Sequence, residues 1–349
     1  GGDFSVFTSA SGGTISFASG SFTLSTRTTY NNITISNVGT KTLPNVDITV
    51  NGDVSLTNGV LNSSSFNRDI YIKGDWSNTA STAAFTPGTS IVYFQGTGAQ
   101  AISGSFQTSF YDVVVNKTGT LTLNANVGIS NDLTLTSGSI DLNSQSINLS
   151  GDLTNNNALS AIGVSSGTFS MNGSSTQTIN GTQASRFYNL TLNNTSATGV
   201  QLSKGIEVHG TLTFTDGHLQ TGSQTVSLQS SGTVTGEHSD HYLIGSVNTT
   251  RSIGAGASSF GNLGFSITAG SQNLGNVTLK RVSGSSGKVV VGAKESIERR
   301  WVVTNTGSNP FDARDITYSW LSTEDNGKNV SIFRLFGRDT EGSGAFEGI

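Results

Sequence analysis

Apolar and small polar residues alternate along most of the chain. Residues 130–156 read SNDLTLTSGSIDLNSQSINLSGDLTNN. Leu, Ile and Val take every second position in each run, Thr, Ser and Asn the positions between, and Gly, Asn or Asp breaks the run after a few residues. A period of two puts successive side chains on opposite faces of a strand. Gly and Asn supply the positive backbone angles that tight turns need. No window keeps the helical apolar period of about 3.6 residues. The pattern predicts an all-β chain of short strands.

Three segments share landmarks: VNGDVSLTNGVL, ISNDLTLTSGSI and VHGTLTFTDGHL. Their turn glycines are Gly59, Gly138 and Gly217, each 79 residues after the last. Gln100 and Gln177 lie 77 apart, as do Tyr111 and Tyr188, while Tyr30 lies 81 before Tyr111. A finer beat runs within each copy. Asp112, Asp132, Asp152 and Asn172 are 20 apart, and Asn189, Thr211 and Thr233 are 22 apart. A copy therefore reads as about four coils of 20–22 residues, the size of one turn of a parallel β-helix. Stacked coils satisfy each other's backbone groups, and no coil buries its apolar face alone.

The expected architecture is a right-handed β-solenoid over residues 1–236. About eleven coils over residues 10–236 would make a rod on the order of 50 Å long. Three separate sandwiches of about 79 residues are the competing all-β arrangement. They explain the finer beat less well, because it keeps phase inside each copy.

From about residue 240 the beat is lost. Ten of the 18 Lys and Arg fall between Lys280 and Arg338. Strands alternate with Gly, Asn and Ser turns, which predicts an antiparallel β-sandwich over residues 237–349, anchored by Trp301 and Trp320. Only the short polar segment GEHSDH separates it from the last coil, so it is expected to cap the rod near Val226, Leu228 and Val234.

Composition narrows the function. The 349 residues include no Cys, which excludes disulfides and thiolate metal sites. The formal net charge is −4 without a basic run, so nucleic acid is not an expected partner. No apolar stretch is long enough to span a membrane as a helix. The chain opens on GGDFSVF and closes on GSGAFEGI, and both ends read as cuts in something longer.

Candidate sites are few. Asp112, Asp132 and Asp152 would stand one coil apart on one edge, where a cation such as Ca²⁺ could bridge them. Turn chemistry explains them more simply, since Asp accepts bonds from nearby backbone N–H groups. His238 and His241 in EHSDH could present two imidazoles to a metal, although a polar linker accounts for them too. Tyr30, Tyr111 and Tyr188 could stack on sugars, or merely pack. Rows of Thr such as TLTLTSGS suggest an ice-binding face, but the coils vary too much for a flat ladder. Neither paired acids nor a nucleophile with its base stands out, so the chain reads as no enzyme, without a cofactor.

The segments FYNLTLNN, GTLTFTDGHLQTGSQTVSL, HYLIGSVNTTRSI, SIERRWVVT and ITYSWL resemble long repetitive surface proteins of Bacteroidetes. That group includes adhesins secreted by the type IX system and adhesins that move along gliding cells. The resemblance implies an extracellular, cell-surface segment of a large protein or filament. Its partners would be glycans or surfaces held by weak multivalent contacts, and further repeats or identical subunits. A carbohydrate-binding or carbohydrate-active β-helix is the alternative expectation.

Overall fold

The computed structural model describes residues 13–163, 166–305 and 313–329, with residues 331, 336–337 and 347–348. It is all-β, and a parallel solenoid of about 11 turns, roughly 21 residues apart, makes up most of it. At about 4.8 Å per coil the rod is about 50 Å long. Among the described residues, no helix is long and apolar enough to cross a membrane.

The rod has three faces. The first runs through Ile48–Val50, Ile70–Ile72, Ile91–Gly96, residues 112–117 and 133–135, Leu153–Asn155, Gln177–Gly181 and Val200–Leu202. The second includes residues 32–36 and 54–56, Trp76–Asn78, Gln100–Ser103, residues 120–123 and 139–141, then Ser185–Phe187 and Ile206–Val208. The third includes Thr108–Phe110, Val127–Ile129, Ser146–Leu149, Thr168–Met171, Asn189–Asn193, Thr211–Asp216 and Thr233–Thr235. Most inward positions carry Val, Ile, Leu, Met or an aromatic ring, and these form one continuous core; Asn78, Gln100, Thr108, Asn155, Gln177 and Ser185 are buried polar exceptions at strand ends. Trp76, Phe85, Phe94 and Phe110 interlock there, with ring centroids 4.9–5.8 Å apart.

The sequence repeat and the coil do not share a period. The motif at Asn32-Ile33 opens a strand on the second face, that at Asp112-Val113 one on the first, and that at Asn189-Leu190 one on the third. Eleven strand segments separate each motif from the next, with residues 159–162 counted as one. Three segments make a coil, so a copy is one segment short of the four coils expected. Each copy is turned by one face relative to the previous one. Gly59, Gly138 and Gly217 accordingly stand at three different corners. All three have positive φ (86°, 79° and 73°), and a Cβ on any of them would press on a carbonyl of the coil before. The corners are chemically interchangeable, so one motif fits each.

The same offset corrects two registers. The step after Asp152 is 26 residues, to Thr178, because a longer turn intervenes. Asn172 therefore lies off that ladder, just past Thr168–Met171 on the third face. The residue matching Tyr30 is Phe110 and then Phe187, all three buried, not Tyr111 and Tyr188. A one-residue slip in a strand moves a side chain to the opposite face.

Parallel pairing ends at strand Leu243–Ile253. One edge pairs with Leu219–Leu228 in the last coil. The other pairs antiparallel with Gly275–Ser283, which in turn pairs with Arg299–Asn305. A second antiparallel pair, Phe265–Ile267 with Ile316–Tyr318, packs on this sheet through Phe265, Tyr318 and Trp301. Trp301 is half-buried against the core and donates its indole N–H to Leu263 O at 2.9 Å. Trp320 is no core anchor. Its N–H turns outward to Asp325 at 2.7 Å.

Candidate functional site

The first face carries two adjoining outward columns, one with a pair of tyrosines and one rich in carboxylates; the second face carries a shorter acid ladder at Asp53 and Asp75. One column reads Thr49, Tyr71, Tyr93, Val114, Thr134 and Thr154, in register from coil to coil. Two residues earlier on each strand, the next column reads Asp47, Asp69, Ile91, Asp112, Asp132 and Asp152. Five of its six positions are thus carboxylates, one edge of the rod.

The carboxylates stitch the coils together. Oδ1 of Asp47 accepts the N–H of Asp69 at 3.0 Å, and Oδ1 of Asp69 that of Ile91 at 2.9 Å. Asp112 accepts from Asp132 at 2.8 Å, Asp132 from Asp152 at 2.7 Å, and Asp152 from Thr178 at 2.7 Å. These bonds all fall on Oδ1, which leaves the second oxygen outside the ladder. The geometry is the backbone chemistry expected of turn acids. Burial pushes the Asp69 carboxyl up, against the Ile91 N–H and the Arg68 charge, and the charges of Asp47 and Asp112 add to the rise.

Beside this edge, Tyr71 and Tyr93 stack face to face, with centroids 4.5 Å apart and planes 11° apart. Burial pushes both hydroxyls up, and Asp69 and Asp47 push in the same direction. Neither tyrosine was singled out from sequence. The signal was there in IYIKG and IVYFQG, where each Tyr lies between two inward apolar residues. Tyr30 is buried among core rings and only 3% exposed, whereas Tyr188 is 38% exposed, so the Tyr30, Tyr111 and Tyr188 series is no platform.

EHSDH is divided by the fold. Glu237 turns inward and makes two 2.6 Å bonds to the fully buried Arg281 guanidinium. Burial raises its carboxyl, but the Arg281 charge and hydrogen bonds outweigh that and hold it below the usual range. His238 and His241 form an isolated antiparallel bridge, with ring centroids 5.4 Å apart, and His238 lies 3.4 Å from the exposed Asp240. Among the described residues, no group of three or more His, Asp or Glu is placed to hold a metal ion. A second buried pair, Arg299 with Glu324, lies nearby. An open cleft between the last coil and the antiparallel part is lined by Glu237, Asn262, Arg299 and Trp320.

Two buried lysines also escaped sequence reading. Lys41 donates to Asn37 O at 2.6 Å and Val38 O at 3.0 Å. Lys117 donates to Gly98, Thr118 and Thr120 carbonyls at 2.9, 3.0 and 3.2 Å. Each amino group closes a corner from inside, and burial pushes its pKa down. Searches against protein-family models, curated proteins and solved structures found no match for this chain.

Proposed function

We propose that the chain is a stiff, adhesive stalk segment of a large extracellular surface protein. The observation that carries this reading is the unbroken core. One apolar column runs from Phe17 through every coil to Leu228 and Val234 and on beneath the antiparallel part. Each coil is bonded to the next through strands and side-chain ladders, so bending the rod would break many bonds at once. A rod of this kind acts through reach and through contacts repeated along its surface, whose avidity grows with copy number. The turn of one face per copy also places the repeated motif once on each of the three faces.

Small-angle scattering and bead adhesion test the reading together. The expected result is a rigid rod whose cross-section matches one three-faced coil, and beads carrying the chain that bind glycan-coated surfaces more as surface density rises. A flexible profile, or adhesion that does not respond to density, would overturn it.

A further inference from the structure

We propose that oxidation joins Tyr71 to Tyr93 through a carbon–carbon bond between their rings, a covalent staple between two neighbouring coils. The link is independent of what the rod binds. Tyr71 and Tyr93 are paired residues of adjacent parallel strands. On either side, Ile70 pairs with Val92 and Ile72 with Phe94, all four fully buried. Both strands are thereby pinned, and both rings are held on the outward side. The rings lie face to face, with centroids 4.5 Å apart and planes 11° apart. Their hydroxyls share a hydrogen bond, which brings the ring carbons beside those hydroxyls together as well.

The pairing is selective. Among the described residues, no other two tyrosines are in ring contact. Tyr30 packs on Phe17, Tyr242 on His218, and Tyr318 on Phe265 and Trp301. The chain has no cysteine, so no disulfide ties one coil to the next, and the stacked phenols offer an oxidative link of another kind. A bond between them closes a loop of 22 residues, one coil. It restricts the unfolded chain as any such closure does, and it opposes the peeling of one coil from the next under load.

The co-reactant is hydrogen peroxide, used through a one-electron oxidant of the haem peroxidase class. Both rings are only half-buried, so electrons and protons can leave them. Burial and the charge of Asp69 hold both phenols in the protonated form, so the proton departs with the electron. Each phenol gives one electron to the oxidant and its hydroxyl proton to water. The unpaired spin of the two phenoxyl radicals spreads onto the carbons ortho to oxygen, and one such carbon from each ring forms the new bond. Each bonded carbon then releases its hydrogen as a proton and each oxygen takes one up, which restores two phenols. The chain has lost two hydrogen atoms, and the peroxide has become two molecules of water.

The test treats the whole chain, dilute, with hydrogen peroxide and a haem peroxidase, and in parallel with light and a ruthenium photo-oxidant. Dityrosine fluorescence should appear in the monomer. Digestion and mass spectrometry should find the peptides of Tyr71 and Tyr93 joined, and lighter by two hydrogens than their sum. Tyr71→Phe and Tyr93→Phe keep a ring in the stack and should each abolish the signal, whereas Tyr111→Phe and Tyr188→Phe should leave it. The linked chain should unfold at higher urea than the untreated chain, and treated Tyr71→Phe should show no such shift. A signal that survives either change in the pair, a bond between two chains in place of one within a chain, or no bond with either oxidant would overturn the site. A bond between Tyr71 and Tyr93 without a gain against urea would overturn its role as a staple.

Discussion

Oδ1 of Asp112 accepts the backbone N–H of Asp132 at 2.8 Å, across one coil. Asn32 makes the same bond to Asp53 at 2.8 Å on a second face, and Asn189 makes it to Thr211 at 2.9 Å on a third. The three bonds are one motif carried around the rod by a sequence repeat of eleven strand segments. What is retained from copy to copy is an acceptor at the start of the strand, not a charge.

That distinction is testable at Asp132. Asp132→Asn keeps the acceptor for Asp152 and removes one charge from a like-charged edge, so stability should hold or rise slightly. Asp132→Ala leaves the Asp152 N–H without its partner and should cost about 1 kcal/mol. Urea unfolding of the two variants decides it. Equal losses would mean that the carboxylate charge, not the acceptor, matters.

Gly138 offers a steeper test. Its φ is +79°, and an added Cβ would lie 2.7 Å from Gly119 O and 2.8 Å from Lys117 Cγ. Left-handed backbone and a clash with the coil before combine in Gly138→Val, which should destabilise by at least about 2 kcal/mol. Gly98→Ala, where nothing lies within 4 Å, should be close to neutral. Thermal melts of both variants measure the contrast.

The solenoid was legible in the sequence because its two signals are local. Alternation in DLTLTSGSIDL fixes inward and outward sides, and the matched glycines mark corners. The phase between copy and coil was not legible. Gly59, Gly138 and Gly217 sit in the same local chemistry at every corner, so their spacing says nothing about which face follows. The candidate site was hidden for a related reason. Tyr71 and Tyr93 are 22 residues apart, one coil, yet they meet only because their strands are in register. Glu237 read as part of a polar linker because its partner Arg281 lies 44 residues further on.

The Glu237–Arg281 pair makes the joint sensitive to acid. The folded carboxyl is held below its unfolded value by Arg281, so its stabilisation is fully present above the unfolded Glu value of about 4.3. It is lost as pH falls from there through the folded value. Protonation leaves the fully buried Arg281 without its counter-charge. The environment of Trp301, whose strand pairs with Arg281, should therefore change at acid pH before the coils melt. Glu237→Gln should remove that early transition and weaken the joint at neutral pH by about 3–5 kcal/mol. Tryptophan fluorescence against far-ultraviolet dichroism, followed across pH, reads the two events separately. A single transition unaffected by Glu237→Gln would refute the assignment.

The end of the rod gives the last test. The apolar cross-section of the final coil, at Leu228 and Val234, is covered by the segment that carries Phe260, Leu263 and Phe265, all buried in the same core. The strand edge there is also satisfied: the Val234 N–H donates to Gly261 O at 2.9 Å, and Asn262 Nδ2 donates to Val234 O at 3.2 Å. A chain ending at residue 253 keeps the last parallel strand but loses this cover. It exposes a strip of core beside unpaired strand groups, an arrangement that pairs with copies of itself. Such a chain should associate end to end, with a scattering length that grows in steps of about one rod, while the full chain at equal concentration stays shorter. Phe260→Asp in the full chain is the finer probe. It leaves the length unchanged and should loosen the cover by burying an unpaired charge, so association should rise to an intermediate level. If the truncated chain, the Phe260→Asp chain and the parent sediment alike, the segment does not close the rod, and the core of its last coil must be protected in another way.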